Sequence, residues 1–187
     1  TGDEAGVTKQ EQRIVLAELT QQSQNSLRAV EMRLRSAVST LTALAESDAV
    51  RNEDWLGLYT QAQRVLERNP EFRAMTLADQ HNRLIFHTSL PFGAPDFAAS
   101  AQDALRQALN SGRVRLSGPF VAPISPVSVV AVSMPLLRQG QTHHALRMIL
   151  LTDSLGELLD SQGLPKGWWA SLVDPRGMVL ARSHAGP

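Results

Sequence analysis

The segment at residues 144–152 has the pattern of a β-strand that carries one charged residue among apolar ones. Arg147 interrupts the apolar run, and the alternation of a strand places it on the same face as Ala145 and Ile149. A guanidinium in such a place can bind a carboxylate or another anion through two parallel hydrogen bonds. If this face lines a pocket, Arg147 is an anion anchor. If the face is turned to solvent, Arg147 is an ordinary surface residue, and the sequence leaves both interpretations open.

Neighbouring predicted strands add polar side chains that could complete a binding site. Arg73 lies near the start of one strand, and Ser133 supplies a hydroxyl on another. His87 and Thr88 end a strand beside a Pro-Phe-Gly loop, where an imidazole and a hydroxyl can bind a carboxylate or a carbonyl. Each of these residues also has a purely structural interpretation. The predicted ligand-binding set is Arg147, Arg73, His87, Thr88 and Ser133, with Tyr59, Phe92 and Phe120 as apolar walls.

No pattern in the sequence predicts catalysis, a metal ion or a cofactor. The chain contains no cysteine, no glycine-rich phosphate loop, no metal-binding helix motif and no Gly-x-Ser-x-Gly elbow. His143 and His144 are adjacent, but neighbouring side chains of a strand point to opposite faces, so we expect no joint metal site. The sequence therefore predicts a non-enzymatic domain without a metal or a cofactor.

The charge balance and the hydropathy exclude two further classes. Lys and Arg together number 18, and Asp and Glu together also number 18, so the formal net charge is zero. This balance argues against nucleic-acid binding, which needs a basic face. No apolar run approaches the roughly 18 residues that a membrane span needs. Because the chain begins with Thr1, we expect a piece of a longer protein that meets a membrane only through flanking segments absent here.

A long amphipathic helix is predicted over residues 11–46. No proline or glycine interrupts it, and at about 1.5 Å per residue it is about 50 Å long. Because it is longer than a small domain is wide, we expect it to project from the domain, to pair with a second copy, or both. An uncovered apolar stripe is costly, so we expect a homodimer through this helix. The stripe steps by three and four residues through Leu27, Val30, Leu34, Ala37, Leu41 and Leu44.

The rest of the chain alternates between helices and strands. This order predicts an α+β fold in which helices flank a five-stranded antiparallel sheet and the long helix leads. The predicted elements are a helix from residue 55 to the Asn69-Pro70 stop, a hairpin at 72–88, a helix at 97–110 between Asp96 and Gly112, strands at 115–120, 127–137 and 144–152, a helix at 155–161, and a hairpin at 168–182.

Two stretches of the chain share one hairpin pattern. Residues 76–88 and 171–183 both follow the order strand, aspartate, turn, strand, and both end on a hydroxyl residue. The match is either a coincidence between generic hairpins or the start of a second module of the same kind.

Apart from this hairpin pattern, several short segments occur in a characteristic order and cover most of residues 40–183. Together they resemble the Cache domains, which are PAS-like extracytoplasmic sensors of bacterial membrane receptors. The segments include the helix end at residues 41–47, the hairpin at 77–88, Pro91-Phe92-Gly93, Leu109-Asn110-Ser111-Gly112, Ser117-Gly118-Pro119-Phe120, Val132-Ser133-Met134-Pro135 and Leu164-Pro165-Lys166-Gly167-Trp168.

The resemblance implies a PAS-like sheet and three parts of the chain. Residues 1–48 are expected to form a stalk and dimerisation helix, and residues 49–163 a membrane-distal sensor module. Residues 164–187 are expected to form a linker or the start of a second, truncated Cache-like module. The resemblance also implies a periplasmic domain that binds a small molecule, and the residues Arg147, His87 and Thr88 make an anion or a carboxylate a candidate ligand. Ligand binding is expected to cause a conformational change that passes along the long helix to a cytoplasmic output domain.

A sensor histidine kinase is the output that we expect, with a diguanylate cyclase or a chemoreceptor as alternatives. In amino-acid-binding Cache domains an Arg–Trp–Tyr constellation with a distant Asp forms the pocket. Trp55, Tyr59 and Arg73 do not reproduce its spacing, so an amino-acid ligand is not implied. The alternative from another class is a structural or protein-interaction module whose pocket is filled by its own side chains.

Overall fold

The structure, a computed structural model, describes residues 9–94 and 97–184. The predicted α+β fold with a long leading helix is confirmed. In chain order the elements are α1 (Lys9–Ala45), α2 (Asp48–Arg51), α3 (Trp55–Arg68), β1 (Ala74–Asp79), β2 (Leu84–His87), α4 (Gln102–Ser111), β3 (Arg115–Leu116), β4 (Phe120–Val121), β5 (Ser128–Arg138), β6 (Gln141–Leu151), α5 (Thr152–Asp160), β7 (Ser171–Val173) and β8 (Val179–Arg182). Within the described ranges, no helix combines the length and the hydropathy that crossing a membrane requires.

One antiparallel sheet forms the centre of the fold. Its strands lie in the order β2-β1-β6-β5-β3, and β4 pairs with β5 beside β3. The sequence predicts five strands, whereas the sheet has six, because the strand predicted at residues 115–120 is divided in two. Gly118 and Pro119 lie between the two pieces, and a proline has no N–H to donate to the ladder.

The C-terminal half of α1 lies across one face of this sheet. Val30, Ala37, Leu41 and Leu44 are buried in the main hydrophobic core with apolar side chains of β1, β5 and β6. The chain's own sheet therefore covers most of the predicted stripe, and the stripe does not require a second copy to cover it. Leu27, nearer the N-terminus of the helix, is 52% exposed.

Local signals place several helix ends and turns where the sequence predicts them. The side chain of Asp54 accepts a hydrogen bond from the amide of Gly57 and so caps α3. Asn82 has a φ of 63° in the β1–β2 turn, and Gly112 has a φ of 64° at the end of α4. The predicted cap Asp96 lies outside the described residues.

The start of α4 differs from the prediction. The helix begins at Gln102 rather than at residue 97, because the segment before it is bonded to the β1–β2 hairpin. Ala98 forms an antiparallel bridge with Arg83, and the amide of Ala99 donates to the carbonyl of Asn82 at 2.7 Å. These bonds between distant parts of the chain hold residues 97–99 out of the helix.

The hairpin of β7 and β8 forms a two-stranded sheet of its own and rests on α5. Gly156 in α5 makes this approach possible, because a Cβ atom there would lie 2.3 Å from the carbonyl oxygen of Arg182. Leu180 and Ala181 are buried and join the main core. The hairpin is thus packed against the rest of the described chain.

The two faces of the central sheet differ in chemistry. The face toward α1 and α3 carries large apolar side chains, among them Met75, Leu77 and Met148. The opposite face carries small residues near its two ends, such as Ala131 in one cluster and Ala145 in another. Between these clusters the side chains are polar.

Candidate functional site

A row of polar residues crosses the sheet on the face away from α1. The register pairs His87 with Thr76, Thr76 with Arg147, Arg147 with Ser133, and Ser133 with Arg115. Directly paired residues of neighbouring strands project to the same face. The row therefore runs through β2, β1, β6, β5 and β3, with Arg147 in its middle.

Arg147 is a buried cation with incomplete hydrogen bonding. It is 2% exposed, and its Nε atom donates to the hydroxyl of Ser133 at 3.0 Å. Its Nη2 atom is buried without a hydrogen-bond partner. Burial lowers the pKa of Arg147 to about 10, so the side chain is still charged at neutral pH. An uncompensated buried charge is costly for the fold, so this position points to a role beyond packing.

Thr76 lies beside Arg147 and also has an unused polar group. It is 3% exposed, and its Oγ1 atom has no hydrogen-bond partner in the structure. Buried hydroxyls are normally bonded, because an unpaired one loses its hydration without replacement. Two neighbouring residues in the centre of the sheet therefore present free hydrogen-bonding atoms.

His87 ends the row on β2 as a neutral imidazole. Burial and the nearby positive charge of Arg73 lower its pKa to about 4. Its Nδ1 atom accepts a hydrogen bond from the amide of Ser89 at 3.1 Å. The proton of the neutral ring is therefore assigned to Nε2, which makes that atom a donor.

These polar groups border a small, mostly apolar cavity of about 30 Å³. Thr76, His87 and Arg147 lie on the sheet side, and Ser100 belongs to the segment that precedes α4. A water molecule needs about 10–15 Å³ of such space, so the cavity has room for two or three waters. Its apolar lining is supplied by Leu84, Phe97, Phe120, Ala122, Pro123, Val129 and Ile149.

The structure gathers half of the sequence-predicted binding residues at this place. Arg147, His87 and Phe120 line the cavity. Ser133 is fully buried and reaches it through its bond to Arg147. Arg73 is exposed and does not line the cavity, although its charge acts on His87.

The other predicted residues have structural partners instead. The hydroxyl of Thr88 accepts a hydrogen bond from the amide of Met75. Tyr59 donates to the carbonyl of Leu90 at 2.7 Å and packs edge-on against both Phe86 and Phe92. None of Thr88, Tyr59 and Phe92 is among the described residues that line the cavity.

Sequence reasoning missed Thr76, Phe97 and Ser100. Thr76 alternates with Ala74 and Ala78 in the strand, so strand periodicity could have revealed a lone polar residue on one face. Phe97 and Ser100 carried no such signal, because the sequence predicts residue 97 as part of a helix.

The histidines that are adjacent in sequence do not meet around a common point. The ring of His143 is bonded to Gln80 and Gln141, whereas the ring of His144 lies 5.0 Å from the ring of Trp55 at an interplanar angle of 50°. The described residues contain no group of three or more His, Cys, Asp or Glu side chains that could hold a metal ion.

Comparison with known proteins gives a match at the level of fold. No family model matches the chain, and no curated protein matches its sequence. The ligand-binding domain of the Pseudomonas fluorescens chemoreceptor CtaA, in complex with L-serine, matches with a TM-score of 0.73 and 15% identity, over 93% of this chain and 73% of that one. The ligand-binding domain of the Pseudomonas aeruginosa amino-acid chemoreceptor PctC, in complex with GABA, matches with a TM-score of 0.65 and 22% identity, over 87% and 71%.

A structure from a second class of receptor has the same fold. It is the extracellular domain of soHK1S-Z6, a protein described as a histidine kinase. It matches with a TM-score of 0.67 and 16% identity, over 91% of this chain and 71% of that one. The chain therefore has the fold of bacterial receptor sensor domains, which is the fold that the resemblance in its sequence implies.

Proposed function

We propose that this chain is the non-catalytic, ligand-sensing domain of a bacterial membrane receptor, and that a small anion binds beside Arg147. The observation that carries the proposal is a buried guanidinium whose Nη2 atom has no partner, at the edge of a cavity. An anion would supply the missing hydrogen bonds and the missing opposite charge. The neighbouring hydroxyl of Thr76, which is also unpaired, would bind the same ligand.

The structural neighbours support ligand sensing and a periplasmic location. Two of them hold L-serine and GABA, and both of these molecules contain a carboxylate. Since the neighbours belong to chemoreceptors and to a histidine kinase, both outputs are supported equally. We therefore propose a receptor with either output and a sensor domain on the periplasmic side of the inner membrane.

Ligand entry would require the cover of the cavity to open. A volume of about 30 Å³ is too small for a molecule of several carbon atoms. Two segments form the cover, residues 97–100 and residues 120–123, and neither belongs to the central strands of the sheet. We propose that binding moves these segments outward while Arg147 stays on its strand.

The central strands couple this site to the long helix. Ser133 lies on the cavity face of β5, while the next residue, Met134, faces α1, and its sulfur lies 3.9 Å from the hydroxyl oxygen of Thr42. A ligand that shifts β5 and β6 as a pair would change their contacts with α1 and favour one packing of the helix over another. A ligand that bound both packings equally would transmit no signal.

We propose that the chain has three parts. Residues 1–48 would form the stalk, residues 49–163 the membrane-distal sensor module, and residues 164–187 a linker or the start of a second module. The separate two-stranded sheet of β7 and β8 supports a boundary near residue 164. The sequence of the complete gene would test the division.

Homodimer formation through α1 is a further proposal, and it rests on apolar residues of the helix that the sheet leaves exposed. Met32 is 70% exposed, and Leu27 is exposed on the same helix. Replacing Met32 with Glu should weaken self-association in analytical ultracentrifugation. A monomer at all concentrations would count against pairing in the isolated domain.

A thermal-shift panel of small anions tests the proposed function. An anion at 100 times its dissociation constant adds about 2.7 kcal/mol, which raises the Tm of a domain of this size by roughly 5–10 °C. Arg147→Met should abolish that rise. Arg115→Met is the matched control, because Arg115 lies at the end of the row and is not among the cavity-lining residues. If no anion raises the Tm of the wild type, the chain is better described as a structural or interaction module.

A further inference from the structure

The described lining of the cavity carries a positive charge and no negative charge, and this restricts the class of ligand more closely than the requirement for an anion does. Among the described residues that line it, Arg147 is the single formal charge at neutral pH, and no Asp or Glu takes part. His87 is neutral, because its pKa is lowered to about 4. The described lining therefore offers one positive charge, and a ligand with one negative charge neutralises it.

The hydrogen-bonding atoms of the cavity are mainly donors. Nη2 of Arg147 is an obligate donor without a partner, and the neutral ring of His87 has its free proton on Nε2. The hydroxyls of Thr76 and Ser100 can donate or accept. The hydroxyl of Ser133 already accepts from Arg147. A carboxylate fits this set because it accepts only.

An ammonium group does not fit the same set. It needs acceptors, preferably a carboxylate, and it would be repelled by the guanidinium of Arg147. The remaining lining is apolar, and Phe97, Phe120 and Ile149 form much of it. Burying an unpaired ammonium against such side chains is costly, whereas an aliphatic chain is favoured there.

We propose that the ligand is a small aliphatic carboxylate without an ammonium group. Its carboxylate would bind Nη2 of Arg147 and the hydroxyl of Thr76, and its chain would pack against Phe97 and Phe120. This inference rests on the proposed function of the same site. It separates the chain from the structural neighbours solved with L-serine and GABA, since both of those ligands carry an ammonium group.

Two matched pairs of compounds test the inference by isothermal titration calorimetry on the whole chain. Butyrate is GABA without its ammonium group, and 3-hydroxypropanoate is L-serine without its ammonium group. We expect the ammonium-free member of at least one pair to bind at least about tenfold more tightly than its partner. Thr76→Val should weaken that binding, and Arg147→Met should abolish it.

Two results would overturn the inference. If GABA or L-serine binds as tightly as its ammonium-free counterpart and the binding depends on Arg147, the ligand class is wrong and the proposed sensing function stands. If neither member of either pair binds, the ligand class is also wrong. The wider anion panel with Arg147→Met and Arg115→Met then decides the proposed function separately.

Discussion

Replacing Arg147 with methionine should stabilise the ligand-free protein, although it removes a hydrogen bond. Methionine fills much of the same space without a charge. Arg147 is 2% exposed, and no acidic residue acts on its pKa. A residue kept at a cost to the fold is expected where it serves binding, and the substitution measures that cost directly.

The magnitude of the effect follows from the pKa and the hydrogen bonds of Arg147. Burial lowers the pKa from 12.5 to about 10, and a change of that size corresponds to about 3 kcal/mol of unfavourable folding free energy at neutral pH. Losing the bond to Ser133 offsets about 1–2 kcal/mol of the gain. The net gain in the free energy of unfolding is then about 1–2 kcal/mol, or roughly 2–8 °C in Tm.

Urea unfolding followed by circular dichroism at pH 7 measures this gain, provided that the protein is first unfolded and refolded to remove bound ligand. The double variant Arg147→Met, Ser133→Ala should gain more, because it leaves no unpaired hydroxyl behind. Arg115→Met is the control and should change the free energy by less than about 0.5 kcal/mol. A loss of more than about 1 kcal/mol in both Arg147 variants would refute the reasoning, because Arg147 would then be a structural residue with satisfied partners.

Three further predictions concern residues around the site and the hairpin. Thr76→Val should leave the ligand-free stability unchanged or slightly raised, because the Thr76 hydroxyl has no partner. Thr88→Val should lower the free energy of unfolding by about 1–2 kcal/mol, because the amide of Met75 loses its acceptor. Urea unfolding compares the two variants, and equal losses would count against an unpaired Thr76 hydroxyl. Stability should fall as the pH drops from 6.5 toward 4, because His87 becomes protonated in the unfolded state while its lowered pKa keeps it neutral in the folded state. His87→Gln should flatten this part of the pH profile of stability. An unchanged profile would contradict the lowered pKa of His87. Gly156→Ala should lower the free energy of unfolding by about 1–3 kcal/mol, because the added Cβ atom would meet the carbonyl of Arg182. Gly118→Ala is the control and should be close to neutral, because the nearest atom to its Cβ would lie 3.9 Å away.

The alternation of the strands allowed the centre of the candidate site to be predicted from the sequence. The period of two places Arg147 with Ala145 and Ile149, and the structure has all three on the face away from α1. What the pattern leaves open is whether that face is covered. The cover comes from residues 97–100 and 120–123, which are distant in sequence from β6, so no local signal could decide between a pocket and a solvent-exposed face.

Long-range pairing also explains the predictions that differ from the structure. The start of α4 is displaced because Ala98 and Ala99 bond to the β1–β2 hairpin, and such bonds leave no trace in helical periodicity. The stripe of α1 indicates that an apolar surface must cover it, but periodicity does not distinguish the chain's own sheet from a second copy. Tyr59 and Phe92 pack on each other, and spacing alone does not separate such a pair from a pocket wall.

The central claim is that an anion binds the free guanidinium atom of Arg147, and the NMR signal of that side chain tests it most directly. Protein labelled with ¹⁵N-arginine gives an Nε–Hε signal for Arg147, which is assigned by its absence in Arg147→Met. Titration with butyrate should shift this signal in a saturable way, with the same dissociation constant as calorimetry gives. A ligand that binds tightly while the Arg147 signal stays unmoved would contradict the account and place the binding site elsewhere.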